Sequence, residues 1–182
     1  ALSELCRVTK RFVYVRLATT PDRDRRWHLT IRDRAWWENK FFEAGLRKNP
    51  LTQEILSYEN LEKDEWQITL LFEKIPARAF AKFPPATLQA ERNLHMDMLR
   101  ETGRRSDAHI VRYMLASQLL PRNGVVVDAA CGLGYGSALL AQKDPSNRVV
   151  GFDSSEFAVD YARENFTVYT PNAEFHQGDV CD

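Results

Sequence analysis

After Pro121 the sequence alternates short apolar strands with helix-length segments, and this alternation constrains the fold more than any other feature of the chain. Residues 125–129 (VVVDA) read as a buried strand, 135–142 as a helix, 148–152 as a strand, 155–165 as a helix and 173–176 as a strand. Parallel neighbours need a long crossover, usually a helix, so this spacing predicts βαβ units and an α/β fold with a mostly parallel sheet.

Upstream of Pro121 the pattern differs. Residues 2–8 are helix-like and 12–18 (FVYVRLA) form a β-branched and aromatic strand pattern. Over 31–44, Trp37, Phe41 and Ala44 recur at helical spacing, Thr30 is placed to cap the start, and Gly45 stands where a C-terminal cap is wanted. Strands are expected at 53–58 and 66–73, close enough to predict an antiparallel hairpin. Pro76, Pro84 and Pro85 interrupt the pattern and mark the best boundary. Two helices follow, at about 86–101, ended by Gly103, and at about 107–120, capped by Ser106 with Ile110, Val111, Met114, Leu115 and Leu119 on one side. The expected division is therefore 1–77, a helical connection over 78–122, and 123–182.

The remaining composition mostly excludes. Hydrophobic residues make up 44% of the chain, enough for a core, and 25 basic against 25 acidic side chains leave no field that steers it to nucleic acid or a charged membrane. Cys6, Cys131 and Cys181 form no metal-ligand pattern, so a reduced, cytoplasmic protein without a structural metal is expected. No window holds the roughly 18 apolar residues of a membrane span. The stretch RDRRWHLTIRDRAWW mixes arginine and aromatic residues as a single-strand nucleic-acid platform does. Against that reading, Trp37 lies on the apolar stripe and Asp22, Asp24, Asp33 and Glu38 offset the arginines, which describes a solvated face over a core. His28, His95, His109 and His176 are scattered without metal spacing.

The chemistry is concentrated in VVVDAACGLGYGSALLA, a strand running into a glycine-rich turn and a helix. Gly132, Gly134 and Gly136 lack a Cβ, so the backbone there can turn sharply and admit a ligand to the main chain at the carboxyl end of the strand. Dinucleotides and S-adenosylmethionine both use such geometry. The dinucleotide fingerprint, counted from Gly132 and Gly134, meets Ser137 where its third glycine belongs. Asp128, just before the turn, would repel a pyrophosphate but suits the ammonium of a methionine moiety. Asp153 ends the second strand, where an acid accepts ribose hydroxyls, and Asp179 follows the third, where a carboxylate beside a backbone N–H reads the amino edge of adenine. Cys131 has no base near it in sequence and is read as a small residue that fits the turn.

Together VVDAACGLGYGSALLA, VVGFDSS and GDV resemble motifs I, II and III of the class I S-adenosylmethionine-dependent methyltransferases, over 125–182. The resemblance implies a Rossmann-like fold, S-adenosylmethionine as cofactor, and methylation of a small or medium acceptor. It implies a cofactor site built from Asp128, Ala129, Ala130, Cys131, Gly132, Gly134, Tyr135 and Gly136, from Asp153 and Ser154, and from Asp179 and Val180. Tyr135 and Ser137 would line or support the methionine side, and the helix carrying His109 and Tyr113 is similar to the family's lead-in helix. No catalytic base is assigned. Residues 1–77 are similar in order to the end of such a domain, with its fifth strand, last helix, and antiparallel sixth and seventh strands. The family's fourth strand and its helices have no counterpart here, so this chain alone is expected to hold the cofactor without turnover. A tandem methyltransferase domain or an oligomer is the partner such an arrangement admits. The competing readings are a cofactor-binding but inactive portion of a tandem protein, and an NAD(P)-dependent oxidoreductase. A single mixed sheet is expected, with strand 12–18 beside strand 125–129.

Overall fold

A computed structural model describes residues 1–21, 26, 28–62, 66–179 and 181. Asp22 and Asp24 of the charge-balance argument and Val180 of the adenine-side loop lie outside the described residues. The chain divides into two compact units, Ala1–Lys74 with Leu99–Ala108, and Ile75–Met98 with His109–Asp182. The connecting residues 78–122 are thus shared between them rather than standing apart.

The first unit contains α1 (Leu2–Val8), β1 (Phe12–Ala18), α2 (Arg34–Glu43), β2 (Leu46–Lys48), a 3₁₀ turn (Pro50–Thr52), α3 (Ile55–Glu59) and β3 (Gln67–Lys74). Its antiparallel sheet runs β1-β3-β2, with Phe12 opposite Glu73 and Leu46 opposite Lys74. Ile68, Leu70 and Phe72 alternate onto the buried face of β3, and the Phe72 ring stacks on Phe41 of α2 at 4.1 Å. The cap of α2 is Asp33, whose carboxylate accepts the Trp36 N–H at 2.7 Å, and not Thr30. Gly45 takes the left-handed conformation (φ +89°) expected of it after the helix.

The expected strand at 53–58 is instead mostly α3, which follows the 3₁₀ turn Pro50–Thr52. Asn49 accepts the Leu51 N–H and Pro50 removes a donor, so the chain turns here rather than extending. Of the apolar residues in this stretch only Tyr58 is buried, while Leu56 is 71% exposed, so no strand face forms. The strand that pairs with β3 on the side away from β1 is β2, whose sequence, LRK, carries no apolar alternation. Arg47 is fully buried against Glu73 (3.0 Å), which Arg11 also meets at 3.0 Å. Lys48 reaches Glu38 (3.3 Å) and Ser106 (2.8 Å), and Arg34 pairs with Asp107. Burial pushes the Glu38 carboxyl up and the Lys48 ammonium down from their ordinary values, against the attraction between them.

The second unit contains α4 (Ala77–Lys82), α5 (Pro85–Glu91), most of α6 (Arg104–Leu119), β4 (Val125–Ala129), α7 (Tyr135–Lys143), β5 (Arg148–Asp153), α8 (Glu156–Phe166) and β6 (Ala173–Gln177). Pro85 starts α5 instead of breaking the pattern, because an N–H at a first-turn position makes no intrahelical hydrogen bond that proline would lose. The helix expected over 86–101 ends at Glu91, whose carbonyl accepts the Leu94 and His95 N–H groups in a closing turn. Ser106 lies inside α6, not at its cap, and its hydroxyl accepts from Lys48.

The sheet runs β4-β5-β6, all parallel, with Asp128 opposite Gly151 and Asp153 opposite Gln177. Ser155 caps α8 by accepting the Ala158 N–H. Ala158, Val159, Tyr161, Ala162 and Phe166 turn inward from that helix and fill the core with Val149, Val150 and Phe175. β4 is an edge strand with one covered face: Val126 is buried, while Val125 and Val127 are 63% and 62% exposed. This corrects the reading of 125–129 as a buried strand. The single mixed sheet is likewise corrected: β1 does not pair with β4, and the described residues form two three-stranded sheets.

Candidate functional site

The carboxyl ends of β4, β5 and β6 carry the acids singled out in the sequence. β4 leads into a turn in which Ala130 (φ +59°), Gly132 (φ +54°) and Gly134 (φ +78°) all adopt left-handed backbone. That conformation strains an alanine, and such residues persist where surrounding structure holds them. The Cys131 N–H donates to the Phe152 carbonyl (2.8 Å) and the Gly134 N–H to the Cys131 carbonyl (3.0 Å), which fixes the turn against β5.

The three glycines serve different ends. A Cβ on Gly132 would meet nothing within 4 Å, so this position opens onto free space beside the exposed Ala129 and Ala130. A Cβ on Gly134 would lie 2.5 Å from Ala162 and 2.7 Å from the Phe175 ring. One on Gly136 would lie 2.0 Å from the Tyr113 ring. Gly134 and Gly136 thus let α7 seat closely on its neighbours, whereas the Gly132 backbone is left open on its outer side. Neither role was separable in the sequence, because the side chains that close on these glycines lie 23 to 41 positions away: Tyr113 for Gly136, and Ala162 and Phe175 for Gly134.

Asp128 is half-buried and bound on two sides. The Ser137 hydroxyl donates to one carboxylate oxygen at 2.7 Å, and the Tyr113 hydroxyl donates to both, at 3.2 and 3.4 Å. Burial pushes the Asp128 carboxyl above its ordinary value, and the two hydroxyls oppose that rise. Asp153 organises the turn as well as the strand tip: it accepts the Gly132 N–H at 2.7 Å and the Ser155 N–H at 3.0 Å. Ser154 is exposed, and its carbonyl accepts from Gln177 at 3.1 Å. Asp179 is exposed beyond β6, and its carboxylate accepts the Cys181 N–H at 2.9 Å, a contact within its own turn. The structure thus joins Gly132 to Asp153 directly and places Asp128 one strand away.

Tyr135 is buried, its ring edge-on to Tyr113 at 5.5 Å and its hydroxyl 3.3 Å from His109 Nδ1. His109 and Tyr113 are one helical turn apart on α6, so one face of that helix supplies both contacts. Burial raises both tyrosine hydroxyls, first among the causes, and keeps them protonated. Cys131 is buried, and burial together with the nearby Asp128 and Asp153 pushes its thiol up to about 12, far from a thiolate nucleophile. Among the described residues no group of three or more His, Cys, Asp or Glu side chains is arranged to hold a metal ion, and no helix is long and apolar enough to cross a membrane.

Comparison with known proteins bears on the last part of this unit. The profile of a methyltransferase domain matches residues 126–182. Over residues 126–182 the chain is similar to the class I S-adenosylmethionine-dependent methyltransferases. The methyltransferase segment has curated relatives in the release factor glutamine methyltransferase of Mycobacterium leprae (strain TN), 39% identical over 61 residues, and the trans-aconitate 2-methyltransferase of Variovorax paradoxus (strain S110), 40% identical over 68. Those matches cover 34% and 37% of this chain, and 21% and 25% of the relatives, so the chain spans about a quarter or less of their length. Among solved structures, a TehB-like methyltransferase from Corynebacterium glutamicum is similar over 57% of this chain and 46% of its own (22% identity, TM-score 0.34). Coclaurine N-methyltransferase is similar over 51% and 31% (19% identity, TM-score 0.42).

Proposed function

We propose that the methyltransferase segment binds S-adenosylmethionine at the carboxyl ends of β4, β5 and β6 and serves methyl transfer to a small or medium acceptor. The observation that carries this reading is Gly132: its backbone is open on the outside and tied on the inside to Asp153. A ligand laid over the turn meets main chain at Ala129, Ala130 and Gly132 and acids on adjoining strands, with no cationic side chain needed to balance a pyrophosphate. Asp128 would face the ammonium of the methionine part, Asp153 the ribose hydroxyls, and Ser154, Asp179 and Val180 the adenine side. The bound cofactor supplies an activated methyl group, and the chain's own task is alignment. A cytoplasmic setting suits this chemistry.

The first unit supports a tandem arrangement. Its strand order, β1-β3-β2 with β3 antiparallel to both neighbours, is the order expected of the fifth, seventh and sixth strands at the end of such a domain. On this reading the chain joins the end of one methyltransferase domain to the start of another. An NAD(P)-dependent oxidoreductase remains the competing enzyme, disfavoured by Asp128 and by Ser137, whose side chain is fully buried against that carboxylate.

Asp153→Ala tests the assignment of the ribose side. Loss of the charged acceptor is expected to weaken S-adenosylhomocysteine binding by about 1 to 3 kcal/mol in calorimetric titration. Equal affinities for the wild type and the variant would remove Asp153 from the site.

A further inference from the structure

The structure assigns Tyr113 as the positioning residue for Asp128, holding that carboxylate from α6 in the orientation that receives the ligand's ammonium group. This inference rests on the cofactor reading above. Three observations in the second unit converge on it. The Tyr113 hydroxyl spans both oxygens of Asp128, while the Ser137 hydroxyl takes one and the Ser137 backbone N–H supports the same carboxylate. A carboxylate has about four acceptor positions, so these hydroxyls fix its plane and leave acceptor capacity directed elsewhere. The Tyr113 ring occupies the space where Gly136 would carry a Cβ, so the glycine turn itself is built around this side chain. The Tyr135 ring, edge-on to Tyr113, and the His109–Tyr135 contact hold α6 against the start of α7 at the same level.

The groups that face Asp128 are Tyr113 from α6, Ser137 and Tyr135 from α7, and Cys131 from the turn, with Asp153 beyond Cys131. Burial keeps both phenols and the thiol protonated, so Tyr113 remains a hydrogen-bond donor across the working range. The sign of its effect follows. The hydroxyl stabilises the ionised carboxylate, which is the form that attracts an ammonium. Without it Asp128 takes up a proton at higher pH, and binding is lost sooner on acidification.

Tyr113→Phe in the full 182-residue chain tests this, because the ring that fills the space over Gly136 is retained. Two probes are titrated calorimetrically: S-adenosylhomocysteine, and 5′-methylthioadenosine, which lacks the amino-acid part. The variant is expected to bind S-adenosylhomocysteine about tenfold more weakly, the scale of one hydrogen bond to a charged group. The acid limb of its binding profile should move up by about one pH unit. Methylthioadenosine affinity should be unchanged. Equal weakening of both probes would make Tyr113 a packing residue and overturn the inference, as would unchanged affinity and pH profile for S-adenosylhomocysteine. Failure of the wild-type chain to bind either probe would overturn the cofactor reading itself, a result distinct from both.

Discussion

Gly134→Ala should destabilise the second unit by about 3 kcal/mol, read as a lowered urea midpoint for its unfolding. Two costs combine. At φ +78° an L side chain strains the backbone, by about 1 kcal/mol or more. The new Cβ also enters space held by Ala162 and Phe175, at 2.5 and 2.7 Å. Both neighbours are buried, at 0% and 2% exposure, and belong to different elements, α8 and β6, so neither retreats without moving the core. Overpacking of this kind adds roughly 1 to 3 kcal/mol. Gly132→Ala is the control, since it bears backbone strain at φ +54° but meets no atom within 4 Å. It should cost about 1 kcal/mol. Equal losses at the two positions would show that the closeness of α7 to α8 and β6 has been misjudged.

In the first unit the largest effect is expected at Glu73. Its carboxylate is 1% exposed and pairs with Arg47, also 1% exposed, and with Arg11 at the surface. Glu73→Leu leaves the Arg47 guanidinium buried without its main countercharge, and breaking a buried pair from one side costs about 3 to 5 kcal/mol. Removing both charges, Arg47→Met with Glu73→Leu, should recover most of that loss, because the double variant leaves no uncompensated buried charge. The comparison is between two urea midpoints. A double variant as unstable as the single one would mean that the pair contributes through packing and not through charge.

The two units differ in how much of them the sequence reveals, and the reason is the range of the interactions that define each element. β4, α7, β5, α8 and β6 are set by local periodicity and by Ser155 at a helix cap, so their order and near-boundaries are legible residue by residue. β2 is not. Leu46, Arg47 and Lys48 form a strand because two basic side chains find Glu73 and Glu38 in the folded unit, and nothing in the tripeptide itself signals that. The apolar residues of 53–58 read as a strand, but Asn49 and Pro50 set a 3₁₀ turn just before them and the stretch itself forms a short helix.

The candidate site shows the same division. The acids at the strand tips and the glycine turn were readable from spacing alone. The partners that set the state of Asp128 were only half visible: Ser137 lies nine positions away, while Tyr113 comes from the preceding helix, and its reach to both carboxylate oxygens is a tertiary fact. The open edge of β4, with Val125 and Val127 exposed, was not legible either, because VVVDA reads alike in a central strand and at an edge.

On the proposed function, the turn between β4 and α7 is an S-adenosylmethionine site and not a dinucleotide site. Parallel calorimetric titrations of the whole chain with S-adenosylhomocysteine and with NAD test it most directly. Saturable binding of S-adenosylhomocysteine, with no heat from NAD beyond dilution, is the expected result. Saturable binding of NAD, with S-adenosylhomocysteine silent, would contradict the account.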